Sequence, residues 1–128
     1  IHQFGIRSGE RSEFEFAAAH TDMHPLTLAG FGEVRTALDE ITSLLAGRNV
    51  PVYVTVDLDV LDPSEFPGTG TPEAGGIGFL ALLDSLIMIM SRLNVVGVDL
   101  VELAPNLDSS GRSTALACKL LREVLLAL

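Results

Sequence analysis

The run Pro51-Val52-Tyr53-Val54-Thr55-Val56-Asp57-Leu58-Asp59 decides the fold. Its first six residues are rich in β-branched side chains and apolar at neighbouring positions, which is typical of a strand covered on both faces. A second run of this kind, Leu93-Asn94-Val95-Val96-Gly97-Val98, follows later, and the opening stretch from Ile1 to Arg7 also has the character of a strand. These runs predict buried strands, one of which ends in carboxylates.

Four segments with helical spacing of apolar residues separate and flank the strands. They cover residues 13–20, 31–46, 79–92 and 113–128. In the second segment, apolar residues recur at spacings of three and four and so share one helix face: Val34, Leu38, Ile41 and Leu45. Gly47 is expected to end that helix, and Ser109 or Ser110 to cap the start of the last one.

The order of these elements predicts an α/β protein. Strands that alternate with helices of this length pair in parallel through right-handed crossovers, with helices on both faces of the sheet. We therefore expect a three-layer α/β/α arrangement with a mainly parallel sheet. A chain of 128 residues with 48% hydrophobic and 20% charged residues has the composition of a globular protein, and residues 1–128 are expected to form a single domain.

Composition also excludes several classes of partner. A formal net charge of -9, with no run of Lys or Arg, argues against nucleic acid. No segment offers about 18 uninterrupted apolar residues, so no membrane partner is expected. Cys118 is the single cysteine, which rules out an intrachain disulfide and favours a cytoplasmic location; its apolar helical surroundings predict a core thiol.

The richest chemical signal is the pair Asp57 and Asp59 at the end of the first strand. Residues two apart on a strand point to the same face, so this spacing predicts two carboxylates side by side at the carboxyl edge of the sheet. Such a pair either shares a proton or binds a cation, and oxygen ligands favour a hard ion such as Mg²⁺ or Mn²⁺. The alternative is that one aspartate caps the following loop and the other is solvated. Asp62 before Pro63 is expected to cap a turn, and Asp99 to be structural.

The loop from residue 59 to residue 78, rich in glycine and proline, lengthens the motif. Asp-Pro at 62–63 is followed by Phe66-Pro67-Gly68-Thr69-Gly70-Thr71-Pro72 and by Gly75-Gly76. Together with Asp57-x-Asp59, this pattern resembles the ureohydrolase family of arginases, agmatinases and related hydrolases. Two further stretches extend the resemblance along the chain: Phe4-Gly5-Ile6-Arg7-Ser8-Gly9 and Val98-Asp99-Leu100-Val101-Glu102-Leu103-Ala104-Pro105. The sequences of these motifs are most similar to those of agmatinases.

The resemblance implies a fold, an activity and a set of site residues. The chain would form the C-terminal half of the ureohydrolase fold and belong to an enzyme that acts on linear amidines, splitting agmatine into putrescine and urea in polyamine biosynthesis. Asp57 and Asp59 would be ligands of a binuclear Mn²⁺ centre whose bridging hydroxide attacks the guanidinium carbon. Glu102 would pair with the guanidinium group, and Thr71 would lie close to the substrate. No single residue is assigned as the catalytic one.

Two further metal motifs of the family, Gly-Gly-Asp-His and Asp-x-His-x-Asp, do not occur in this sequence. The chain is therefore interpreted as a cut or partial domain that binds Mn²⁺ weakly and is inactive by itself. The resemblance implies a trimer or hexamer, or association with the missing N-terminal half. Guanidinobutyrase, formiminoglutamase and arginase remain alternative activities, and a catalytically silent binding or regulatory partner remains an alternative role.

The histidines receive no metal role. His20 and His24 have the spacing of a two-histidine edge on a helix, but Pro25 ends any helix there, so both are interpreted as surface or loop residues. His2 has no partner near it in sequence.

Overall fold

A computed structural model describes residues 1–27 and 30–128. Strands and helices follow one another in the order β1 (His2–Phe4), α1 (Arg11–His20), β2 (Asp22–His24), α2 (Phe31–Ala46), β3 (Pro51–Asp57), α3 (Phe79–Arg92), β4 (Asn94–Val101) and α4 (Arg112–Ala127). Two short 3-10 turns, Leu58–Val60 and Pro105–Leu107, follow β3 and β4. The bounds of α2 and α3 are those predicted, and β4 extends three residues beyond the predicted run.

All strand pairing is parallel, which confirms the α/β prediction. In the part of the chain that the structure describes, β1 pairs with β2 and β3 pairs with β4, as two separate two-stranded units. Strand β2 was not predicted. The β3 and β4 register shifts between Val52 and Tyr53, and the pairing then continues to Asp57 opposite Val101. Both long strands therefore end at the same edge.

The core lies between the β3–β4 pair and the helices α3 and α4. It is built from apolar side chains at the end of β3 and in the glycine-rich loop that follows, and from side chains that recur at helical spacing on the two helices: Val56, Leu58, Leu61, Phe66, Ile77, Leu82, Leu86, Met90, Ala117, Leu120 and Val124. The opposite face of the strand pair is open, because Tyr53 is 63% and Val96 65% exposed. The prediction that the strands are covered on both faces is therefore not met among the described residues.

The loop between β3 and α3 is packed although it lacks regular structure. Leu61 and Ile77 form an isolated parallel bridge, in which Asp62 N donates to Ile77 O at 3.0 Å and Ile77 N donates to Val60 O at 3.0 Å. Phe66 at the middle of the loop is fully buried. The two ends of the loop are thus joined, and its centre is anchored in the core.

Two local predictions require correction. The last helix is capped by Gly111 in the left-handed region (φ 70°), and the capping oxygens come mainly from Asp108, whose Oδ2 accepts from Ser113 N at 2.7 Å. Ser110 Oγ contributes only a longer contact to Arg112 N, at 3.3 Å. Gly47 ends α2 as predicted, with a right-handed φ of -65°.

Cys118 is exposed and is not a core thiol. The buried face of α4 runs through Ala117 and Leu120, and Cys118 lies one residue, about 100° of rotation, away from Ala117. Among the described residues, no helix combines the length and the apolar character that crossing a membrane would need.

Candidate functional site

Asp57 and Asp59 lie together at the carboxyl end of β3, but not as strand neighbours. Asp57 is the last residue of β3, and Asp59 lies in the 3-10 turn Leu58–Val60. The turn folds back, so that Asp59 N donates to Asp57 Oδ1 at 3.1 Å. The prediction that Asp57 and Asp59 point to the same face of one strand is therefore wrong. The predicted proximity of the two residues is nevertheless present.

The carboxylates at this edge form no ion pair with any residue that the structure describes. Desolvation raises the pKa of Asp57, the charges of Asp59 and Glu102 raise it further, and the hydrogen bond from Asp59 N acts in the opposite direction. Within residues 1–27 and 30–128, no ion pair involves any of these three carboxylates. The strand ends therefore gather acidic groups without an internal counter-ion.

Thr71 and Glu102 reach the same edge from two different loops. Thr71 Oγ1 donates to Asp59 Oδ2 at 3.0 Å, which fixes one carboxylate oxygen of the pair. Glu102 follows β4 directly, and a β-carbon built on Gly70 would lie 3.7 Å from Glu102 Oε2. The structure thus brings together all four residues that the sequence singled out.

Glu102 nevertheless stands apart from the aspartate pair. Among the described residues, Asp57, Asp59 and Glu102 do not form a trio whose ligand atoms all lie within 4.8 Å of one another. Glu102 also has a φ of 63°, in the left-handed region that non-glycine residues seldom adopt. A side chain held in a strained backbone beside a charged pair fits a group that faces a ligand.

Backbone hydrogen bonds join the loops that carry these residues. Ala104 N, just after Glu102, donates to Gly68 O at 2.8 Å, and Gly68 N donates to Ser113 Oγ at 2.8 Å. Ser113 is fully buried at the start of α4. The glycine-rich loop is therefore held between the β4 loop and the last helix.

Arg7 is a further residue of this site. It belongs to the Gly5-Ile6-Arg7 motif, but the motif does not indicate its role. Its guanidinium donates to three main-chain carbonyls: to Asp59 O at 2.7 Å, to Val60 O at 3.2 Å and to Glu73 O at 2.9 Å. It does not contact the carboxylates. Arg7 thus fixes the turn that carries Asp59 and leaves the charge of the aspartate uncompensated.

Asp62 and Asp99 have structural roles, as expected. Asp62 Oδ1 accepts from Ser64 N at 2.9 Å and Oδ2 accepts from Gly75 N at 3.1 Å, so it closes the turn after Pro63. Asp99 accepts hydrogen bonds on the open face of the strand pair, from Tyr53 Oη at 2.8 Å and from Thr55 Oγ1 at 2.6 Å.

His20 and His24 do not share a helix. His20 ends α1, where its ring stacks on Phe16 with centroids 4.1 Å apart. His24 lies in β2 beside Asp22, with Nε2 3.3 Å from Asp22 Oδ2. The interpretation of His24 as a loop residue is wrong, because β2 was missed.

The donor set at the strand ends fits a hard divalent cation. Carboxylate oxygens are the ligands that Mg²⁺ and Mn²⁺ prefer, and a bound cation would offset the desolvation and the repulsion that together raise the pKa of Asp57. Two aspartates supply only part of a coordination shell. The fold and the site together define an α/β protein with a cluster of carboxylates at the carboxyl ends of parallel strands.

Comparison with known proteins narrows this class. The family model described as "Arginase family" matches residues 1–127, and the chain belongs to that family. It is 50% identical over 127 residues to the agmatinase of Halalkalibacterium halodurans, covering 98% of this chain and 42% of that protein. It is equally similar to the agmatinase of Bacillus subtilis, at 50% identity over 127 residues, with 98% and 41% covered.

A solved structure agrees with the fold. The crystal structure of formimidoylglutamase from Bacillus subtilis matches with a TM-score of 0.88 at 26% identity, covering 98% of this chain and 40% of that one. The chain thus spans about two fifths of the length of the relatives that it matches. The resemblance to ureohydrolases that the motifs indicated is confirmed.

Proposed function

We propose that this chain, together with the part of the fold that its longer relatives add, works as a Mn²⁺-dependent hydrolase of linear guanidino compounds. Agmatine is the first candidate substrate, with putrescine and urea as products. The observation that carries the proposal is the convergence of Asp57, Asp59 and Glu102 at one sheet edge, where none of the three forms an ion pair with a described residue. The 50% identity to agmatinases supports the choice of substrate.

Asp57 and Asp59 are the metal-holding residues in this proposal. When bound, a pair of divalent cations lowers the pKa of water and so supplies a nucleophile near neutral pH. The chain itself contributes orientation, since Asp59 N and Thr71 Oγ1 each occupy one carboxylate oxygen of the pair. The remaining oxygens are left for coordination.

Glu102 is the substrate-binding residue. A guanidinium group is planar and carries forked N-H donors, which match the two oxygens of a carboxylate. The position of Glu102 next to Gly70, apart from the aspartate pair, supports a role toward the substrate over one as a third ligand. In sequence, Thr71 lies between the aspartate pair and Glu102. Its hydrogen bond to Asp59 links the glycine-rich loop to the aspartate pair.

The test compares substrates in the longer protein, with Mn²⁺ present. Urea release is measured with agmatine, guanidinobutyrate and arginine, and formamide release with formiminoglutamate. We expect urea from agmatine at the highest kcat/KM. Urea from guanidinobutyrate or arginine alone, or formamide alone, would change the substrate within the family; no product from any of the four would refute the hydrolase.

Variants assign the roles. Asp59→Asn should lower the affinity for Mn²⁺, measured by titration of the metal-free protein. Glu102→Gln should leave Mn²⁺ affinity unchanged and reduce kcat/KM about 10- to 100-fold, because the carboxylate that pairs with the cationic guanidinium is replaced by an uncharged amide. Glu40→Gln, an exposed carboxylate on α2, is the matched control and should change neither quantity. A loss of Mn²⁺ affinity in Glu102→Gln would contradict the proposed division of roles.

The isolated 128-residue chain separates an enzyme fragment from a silent binding partner. We propose that the chain alone binds Mn²⁺ weakly and gains urea-producing activity when the remaining part of the fold is supplied in the same chain or as a second one. A chain that copurifies with a complete homologue and never gains activity would support the silent role.

Association and location are also proposed. The open face with Tyr53 and Val96, and the exposed Leu125 and Leu126 of α4, support self-association or docking of the additional part of the fold. A trimer or hexamer is expected for the complete protein, and light scattering with size-exclusion chromatography measures it. A cytoplasmic location is proposed from the single cysteine, and fractionation of cells tests it.

A further inference from the structure

A second group of metal-ligating side chains lies outside the acidic site, on the β1–β2 pair. His2 is paired with Asp22 in the parallel register, and Phe4 with His24. Because alternate residues of a strand share a face, His2, Asp22 and His24 point to the same side of this pair. Nothing in the proposed hydrolysis uses them.

The three side chains converge on one oxygen. His2 Nδ1 lies 2.9 Å and His24 Nε2 3.3 Å from Asp22 Oδ2. The ligand atoms that the three residues offer all lie within 4.8 Å of one another, and theirs is the one such trio in the described part of the chain. Two strands thus present two imidazole nitrogens and a carboxylate to a common point.

One atom of this group lacks a satisfactory partner. His24 Nε2 is buried, and within the described residues it makes no hydrogen bond of acceptable geometry, despite its distance of 3.3 Å from Asp22 Oδ2. A buried polar nitrogen without a hydrogen bond is unfavourable, so such groups call for an explanation by a ligand, an ion or water.

We propose that His2, Asp22 and His24 form a binding site for a transition-metal ion of the Zn²⁺ type. Two imidazoles with one carboxylate suit Zn²⁺ and Co²⁺, whereas the all-oxygen pair at the end of β3 suits Mn²⁺. His2 and Asp22 are exposed, so the remaining coordination position is open to water. A bound ion would cross-link β1 and β2.

The local structure holds the ligands in place before an ion binds. The ring of Phe4 stacks on His24 with centroids 4.9 Å apart and planes 13° apart, which fixes the imidazole. Asp22 N donates to Ile1 O at 2.9 Å and Gly5 N donates to His24 O at 3.0 Å, so the backbones of the two strands are tied at both ends of the pair. Ligands that are already oriented lose little entropy on binding.

The test is a Zn²⁺ titration of the metal-free 128-residue chain, prepared without a histidine tag. Calorimetry measures the binding, and Co²⁺ absorption is a second readout. His24→Gln and His2→Gln should each weaken binding at least about tenfold, since removal of a direct ligand costs no less than removal of an outer-shell partner. His20→Gln is the matched control, because His20 lies at the end of α1 outside the trio, and it should bind as the wild type does.

Two comparisons decide the result. Binding of one Zn²⁺ should persist in the Asp57→Asn/Asp59→Asn double variant, which separates this site from the acidic one. Zn²⁺ should raise the melting temperature of the wild type and of His20→Gln but not of His24→Gln. If His24→Gln fails to fold, the exposed His2→Gln carries the test. Unchanged affinity in the folded histidine variants, or loss of binding in the aspartate double variant, would overturn the proposal.

Discussion

Replacement of Arg7 by methionine is the perturbation that best tests how the acidic site is held. The guanidinium of Arg7 donates to the main-chain carbonyls of Asp59, Val60 and Glu73. Methionine keeps an unbranched apolar stem about as long as the aliphatic part of arginine but removes all five N-H donors. The variant therefore isolates the contribution of these hydrogen bonds to the turn that carries Asp59.

The expected loss of stability follows from the exposure of each bond. The bonds to Asp59 O and Val60 O are partly buried, and the bond to Glu73 O is exposed. A net contribution of about 0.5–1.5 kcal/mol for each partly buried bond, and little for the exposed one, gives a decrease of about 1–3 kcal/mol in the free energy of unfolding. Urea denaturation followed by far-UV circular dichroism measures it.

Arg48→Met is the matched control. Arg48 lies exposed in the turn after α2, and the described contacts include none from its side chain, so the free energy of unfolding should change by less than about 0.5 kcal/mol. Arg7→Lys should give an intermediate value, because one ammonium group cannot reach three carbonyls. If Arg7→Met proved no less stable than the control, the guanidinium would not hold the turn, and its proposed positioning of Asp59 would be wrong.

Three further predictions concern the surrounding loops. Gly76→Ala places a β-carbon in collision with the backbone nitrogen of Asp62 across the loop and should lower the free energy of unfolding by about 1–3 kcal/mol in urea denaturation. Glu102→Gly should relieve the strain of the positive φ and raise the free energy of unfolding by up to about 1 kcal/mol, and it should abolish substrate binding. Glu102→Ala should abolish substrate binding without this gain in stability. Hydrogen bonds from Ser110 and Ser113 hold the pKa of Asp108 well below its usual range. Their stabilising effect is therefore present above about pH 4 and lost as the pH falls toward the lowered pKa, so melting temperatures of Asp108→Asn should depend less on pH in this range than those of the wild type.

The helices that pack on the core could be predicted from sequence because their pattern is local. The buried positions Val34 and Leu38 of α2 repeat at a spacing of four, and Leu82 and Leu86 of α3 do the same, so the side that faces the core can be read within a few turns. The end of β3 at Asp57 was visible for a similar reason, since an apolar run cannot continue through carboxylates. In these segments, the sequence pattern directly reflects which side chains are buried in the fold.

Strand β2 was not predictable in this way because its stabilising contacts are distant in sequence. It is three residues long, and its hydrogen bonds go to β1, about twenty residues earlier. The trio of His2, Asp22 and His24 exists only through that pairing. Likewise, Arg7 contacts carbonyls more than fifty residues away, so a short motif can mark it without revealing its role.

Asp59 shows how a correct choice of residue can rest on an incorrect geometry. The strand rule placed Asp57 and Asp59 on one face, but Asp59 has left the strand, and the Asp57 carboxylate itself stabilises the turn by accepting from Asp59 N. The alternative that one aspartate caps the loop is therefore correct for Asp57, and it does not exclude the proposed cation binding. Capping uses one oxygen of Asp57, and Thr71 uses one of Asp59, so each carboxylate is oriented by the chain before any cation binds. A site that is built first by hydrogen bonds and then completed by a metal needs residues that can serve both, and aspartates with a free second oxygen meet that requirement.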